Sequence, residues 1–108
     1  MPLFMSQFSY TNESWKHLVK NHEDRSIAIR KELKKIGGRL ISFYYCFGEY
    51  DGICIYEAPD ANKALALIMS VVSAGPVEQN KTTMIFNMKD SVQALKNASK
   101  IKFKGPRE

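Results

Sequence analysis

No apolar run in this chain is long enough to cross a bilayer. The longest, Ala64 to Val72, is interrupted by Ser70 and is far short of the roughly 20 residues a spanning helix needs. The N-terminus, Met1-Pro2-Leu3-Phe4-Met5, has no basic region and runs straight into a strand pattern, so no signal peptide is expected. Cytoplasmic location is the resulting expectation. Histidine is scarce, with only His17 and His22, and neither has a second ligand at metal-binding spacing. No metal site and no cofactor are expected. The glycines form no phosphate loop, because no Lys-Ser/Thr pair follows them. Cysteine is limited to Cys46 and Cys54. In a reducing compartment they read as two buried free thiols, and without a nearby base they make poor nucleophiles.

What is present is a chain of 108 residues, 44% apolar and 25% charged, which fits one globular domain. Its net charge of +5 is unevenly spread. Residues 41–60 carry Glu49, Asp51, Glu57 and Asp60 with no Lys or Arg, a balance of −4. Residues 81–108 carry seven Lys or Arg against Asp90 and Glu108, a balance of +5. The basic end (Lys100, Lys102, Lys104, Arg107) has one aromatic, Phe103, and no nucleic-acid motif. It reads as a solvated tail over residues 101–108, so nucleic acid is not an expected partner.

Leu3 to Tyr10 has a strand composition, broken only by Ser6, Gln7 and Ser9. Thr11-Asn12 supplies capping side chains, and Trp15, Leu18 and Val19 form a helical stripe. Asn21 to Asp24 interrupts it before Ile29, Leu33 and Ile36 resume, and Gly37-Gly38 ends the second piece. Two aromatic and β-branched runs follow, residues 39–47 and 53–57, joined by Gly48-Glu49-Tyr50-Asp51-Gly52. That pattern is a β-hairpin, with Gly48 and Gly52 supplying backbone freedom and Asp51 bonding turn amides. Symmetry about Tyr50 predicts Cys46 opposite Cys54 and Tyr44 opposite Tyr56. Asp60 caps the next helix, whose apolar face is Ala61, Ala64, Leu65, Ile68, Val71 and Val72. After Gly75-Pro76 a strand is predicted within Val77 to Met88. Asp90 with Gln93 then suggests a capping box opening a last helix through Val92, Leu95 and Ala98.

The order βαββαβ plus a terminal helix predicts a ferredoxin-like α+β sandwich over residues 1–100. Helices cover only one face of such a sheet, yet neighbouring pairs such as Phe4-Met5, Phe43-Tyr44 and Ile85-Phe86 put large side chains on both. A homodimer with sheets face to face is therefore expected.

Gly48, Tyr50 and Asp51, with Glu49 between and an aromatic strand before them, resemble the signature of the GYD domain family. The resemblance extends over roughly residues 2–100. It implies a dimeric α/β-barrel type of assembly and carries no settled activity or catalytic residues. The residues themselves leave two functional readings open. One is binding of a small apolar or aromatic molecule in a sheet–helix cleft, with Trp15, Tyr44, Tyr45 and Tyr56 as candidate contacts and Met5, Met69, Met84 and Met88 adding adaptability. Any chemistry there would be cofactor-independent proton transfer by Asp51, Tyr50 or His22. The other is a non-enzymatic sensor or protein-interaction module. For each candidate the plain structural role, as turn, core or surface residue, is the preferred expectation.

Overall fold

In the computed structural model, which describes residues 1–106, the elements run β1 (Leu3–Tyr10), α1 (Asn12–Lys20), α2 (Arg25–Lys35), β2 (Arg39–Tyr45), β3 (Gly52–Glu57), α3 (Ala61–Ser73), β4 (Val77–Ile85) and α4 (Met88–Ala98). The four strands form one antiparallel sheet in the order β2-β3-β1-β4. This is the ferredoxin-like arrangement, with the first helical segment divided in two. The division is local chemistry. Asp24 caps α2 by accepting from the Ser26 amide at 2.9 Å and its hydroxyl at 2.6 Å, so the chain must leave α1 before that point. At the other end of α2, the Gly38 amide donates to the Leu33 carbonyl and Gly37 to Lys34, while Gly37 takes φ +80°. This two-bond closure needs a residue free of a side chain in the left-handed region.

Ladder pairing lines up rows of residues across the sheet. On one face lie Leu40, Tyr56, Phe4 and Met84; then Phe43, Cys54, Ser6 and Thr82; then Tyr45, Gly52, Phe8 and Asn80. Helices α1, α2 and α3 cover this face. Leu33 is fully buried and Ala64 nearly so, with Trp15, Leu18, Ile29 and Leu67 packed against the same cluster. The opposite face carries Arg39, Glu57, Leu3 and Ile85; then Ser42, Ile55, Met5 and Thr83; then Tyr44, Ile53, Gln7 and Lys81.

Several sequence expectations are corrected here. The hairpin register is three residues from the symmetric one. Cys46 donates its amide to the Asp51 carbonyl, which closes a four-residue loop over residues 47–50. Phe43, not Cys46, therefore faces Cys54; Leu40, not Tyr44, faces Tyr56; and Tyr44 faces Ile53. An odd shift reverses the faces, so Tyr44 and Tyr56 lie on opposite sides of the sheet. Cys54 is buried but Cys46 is exposed, and both thiols are free. Neither Gly48 nor Gly52 has positive φ. Gly52 is required by space, since a Cβ there would collide with the Phe8 ring; nothing in the structure explains Gly48. Helix α3 turns Ala64, Leu67, Ile68 and Val71 inward and leaves Leu65 and Val72 exposed, as Val19 is on α1. The cap of α4 is Asn87, accepting from the Asp90 amide at 2.8 Å. Asp90 is thus a first-turn residue rather than the cap. Of the basic tail, Arg107 lies outside the described residues.

Helix α4 departs from the body of the molecule. None of its residues is buried, and it has no substantial packing with another described element. The molecule measures 61 × 32 × 22 Å with a radius of gyration of 17.5 Å, against about 13 Å for a compact chain of this length.

Candidate functional site

On three of the four strands the central row of the helix-covered face is built from small side chains, Cys54, Ser6 and Thr82, with Phe43 ending it on β2. Aromatic residues stand on both sides. Phe4 stacks on Tyr56 with centroids 5.8 Å apart, and Phe8 meets Phe43 at 5.5 Å. Short residues between tall ones leave a cavity of about 70 Å³ beneath α2 and α3, walled chiefly by Ile29, Leu33, Leu67 and Ile68. Small-molecule sites usually offer roughly 300–1,000 Å³. The space as it stands admits only a few atoms.

Its polar floor is a chain of hydrogen bonds with a defined direction. Thr82 Oγ1 donates to Asn80 Oδ1 at 2.8 Å. The Ser6 hydroxyl, 2.8 Å from Thr82, must then donate to it, and Tyr56, 2.8 Å from Ser6, donates in turn, because each hydroxyl has a single proton. All three hydroxyl protons are spent within the chain. Burial raises the Tyr56 phenol above its ordinary range and pushes the Cys54 thiol from 9.0 to about 11. Both stay protonated at neutral pH, so Cys54 holds little of the thiolate a nucleophile requires.

A second cluster closes one end of the cleft. Tyr10, Trp15 and Tyr45 pack edge to face with centroids 5.1–5.8 Å apart. Tyr10 and Tyr45 share a hydrogen bond of 3.1 Å. Burial, then that bond, hold the Tyr10 phenol far above its ordinary pKa, which the nearby Arg25 partly opposes. Asp51 ties this cluster to the hairpin. Its Oδ2 accepts from the Tyr10 amide at 2.9 Å and from Trp15 Nε1 at 3.1 Å, while its own amide donates to the Phe8 carbonyl at 2.9 Å. Outside the cluster, a polar cleft of about 390 Å³ opens between α1 and the 74–76 turn, walled by Glu13, His17, Glu23 and Arg25. Tyr10, Arg25 and Pro76 line both spaces.

The predicted contacts thus separate. Trp15 and Tyr45 come together at the cleft's end, Tyr56 lines the cavity, and Tyr44 stands 66% exposed on the opposite sheet face. Of the proton-transfer candidates, Asp51 is occupied as described, and Tyr50 sits in the loop, accepting from Cys46 Sγ through its carbonyl. His22 is exposed, its Nε2 2.8 Å from the Val19 carbonyl at the break after α1. None of these three lines the cavity. Among the described residues no cluster of His, Cys, Asp and Glu could hold a metal ion, and no helix is long and apolar enough to cross a membrane. The sequence reading missed Ser6, Thr82 and Asn80. The signal available was Ser6 between Phe4 and Phe8 at the two-residue spacing of one strand face.

Fold and site together define a ferredoxin-like α+β domain whose interior is a small aromatic cleft over a hydroxyl-lined floor. Solved structures with this fold include TTHA0845 of Thermus thermophilus, with a TM-score of 0.53 at 15% identity over 81% of this chain and 95% of that one. FFRP-DM1 gives 0.57 at 13% identity, over 80% and 100%. At such identities the likeness shows the fold alone. The GYD domain model matches residues 4–95, and the chain belongs to that family. A curated relative, the glutamine synthetase and cystathionine beta-lyase binding protein of Thermus thermophilus, is 32% identical over 79 residues, covering 72% of this chain and 82% of that protein.

Proposed function

We propose that this chain is a non-catalytic binding module. It works as a homodimer joined through the open sheet face and attaches to another protein. The observation that carries the reading is a continuous apolar stripe on that face: Ile85, Leu3, Met5, Ile55, Ile53 and Tyr44, on four adjacent strands with no helix over them. Tyr44 is exposed and the other five are half-buried among their sheet neighbours. Water-facing sheet surfaces normally alternate to polar residues, and an apolar patch left without a covering layer marks an association site. A relative named for binding two enzymes supports attachment to a protein partner. A reducing, cytoplasmic setting suits the two free thiols.

Sedimentation equilibrium at micromolar concentration checks the first step. The expected species is a dimer, and Ile55→Lys, at the stripe's centre, converts it to a folded monomer. A monomeric wild-type protein defeats this reading. Glutamine synthetase, titrated with the dimer in an interferometry assay, is the first partner to test; no binding there or to cystathionine β-lyase removes the likeness to the relative as support.

A second reading, a small apolar ligand in the cleft, is favoured by one observation: Arg25 and Tyr10 join the inner cavity to the outer polar cleft. An apolar end of a few atoms would enter the cavity, with a polar end at Arg25. Native mass spectrometry of the purified protein should then reveal a co-purifying small molecule that an Arg25→Ala variant loses.

A further inference from the structure

The apolar stripe runs obliquely. It passes from Ile85 on one edge strand, through Leu3 and Met5, then Ile55 and Ile53, to Tyr44 on the other edge. Each strand step is about 4.8 Å and each two-residue step about 6.8 Å, so the stripe crosses the strands at roughly 45°. Its two ends lie at diagonally opposite corners of the sheet. At the Ile85 corner the chain continues through Phe86 into α4. At the Tyr44 corner stands the hairpin tip, where Tyr45 and Glu49 are exposed and Phe47 is wholly so.

Two in-plane two-fold axes lay this stripe on itself in a second copy, both making the sheets cross near 90°. An axis along the stripe puts α4 against α4 and hairpin tip against hairpin tip. An axis across it puts each α4 against the partner's hairpin tip. Charge decides between them. The tip, residues 45–50, carries Glu49 and no Lys or Arg, whereas residues 88–106, α4 and the segment after it, carry five Lys against Asp90. The first arrangement sets like charges together twice; the second pairs opposite charges twice. The side chains agree. Met88, Val92 and Leu95, all exposed, recur at helical spacing along one side of α4, with Lys89 and Lys96 beside them. The tip offers the wholly exposed Phe47 beside Glu49.

Resting on the sheet-face dimer proposed above, we infer that α4 is an exchanged arm: the α4 of each copy packs on the 45–50 hairpin tip of the partner. The occupant of this exposed helix is a second copy of the same chain. Arm and tip cannot meet within one chain, because the sheet separates them.

Cys46, exposed in the tip, gives a direct test. Leu95→Cys alters an exposed position on a helix that has no substantial packing with another described element. Under mild oxidation of the full chain, an interchain disulfide should join Cys46 to the new thiol, as peptide mass spectrometry would show. Combining Leu95→Cys with Cys46→Ser should abolish it. Crosslinks between two Cys46 residues, or between two new thiols, would place like ends together and overturn the inference. A dimer that forms neither mixed nor like crosslinks also overturns it, leaving the sheet-face reading intact. A monomer by sedimentation overturns the sheet-face reading itself. As a second measurement, Lys89→Glu with Lys96→Glu should weaken dimerisation at least tenfold at low salt, and adding Glu49→Lys should recover most of it. Unchanged affinity in the charge-reversed variant counts against the arm.

Discussion

Asp51 shows how one carboxylate can organise an end of a domain. It is joined to the start of α1 through Trp15, to the end of β1 through the Tyr10 amide, and to its own hairpin through the backbone. Hydrogen bonds to a charged acceptor are each worth about 1.5–3 kcal/mol when removal strands the donors. Asp51→Ala is expected to cost about 2 kcal/mol in urea unfolding, discounted because the group is only partly buried. A cycle with Trp15→Phe should be non-additive, since both changes remove the same bond. Cys54 supports a pH prediction. Its thiol ionises near 9 when unfolded and near 11 when folded. Between those values the unfolded chain has lost a proton that the native chain keeps, so stability falls as pH rises through that window. The buried phenols of Tyr10 and Tyr56 act in the same direction at higher pH. Stability measured by urea melts at stepped pH should decline above about 9, and less steeply in Cys54→Ala.

At the scale of elements, the strands and helices were legible in the sequence, and their lateral relations less so. β1 was readable to the residue, as were the break before α2 and the glycine stop after it, because each depends on neighbours in the chain. The hairpin register was not. Loop length hinges on where the ladder closes, and the Cys46 to Asp51 bond leaves four loop residues rather than a turn centred on Tyr50. A shift in pairing between Leu40 and Ser42 adds a further irregularity that apolar patterning does not show. The cavity floor was equally hidden. Ser6 and Thr82 are 76 positions apart, and only the antiparallel pairing of the first and last strands unites them. Gly52 belongs at this scale too, because it lets a β1 ring lie flat on β3. Gly52→Ala should destabilise by about 1–3 kcal/mol through overpacking. Pairing it with Phe8→Leu should cost less than the sum of the two single changes; strict additivity would show that the ring is not what excludes the methyl group.

For the whole molecule, the decisive property is how much apolar surface its own chain leaves unused. The two-faced strands announced this in the sequence, and the bare sheet face and projecting α4 give it a place. An isolated helix of about a dozen residues is marginal in water, and α4 has eleven. Its amides should therefore exchange rapidly in the Ile55→Lys monomer and slowly in the concentrated wild-type protein, followed by hydrogen-exchange mass spectrometry. Equal protection in the two would mean that α4 is ordered by something other than a partner copy.

The bond between Trp15 and Asp51 also determines what optical experiments on this protein observe. Trp15 is the sole indole in the chain, and its ring nitrogen is held by the aspartate of the hairpin signature. Intrinsic fluorescence is therefore a local gauge of one joint. A spectral shift would register loosening of the hairpin from α1 even while the remaining sheet stayed paired. Coincidence of the fluorescence and circular-dichroism transitions consequently measures whether the hairpin end and the sheet come apart as one cooperative unit.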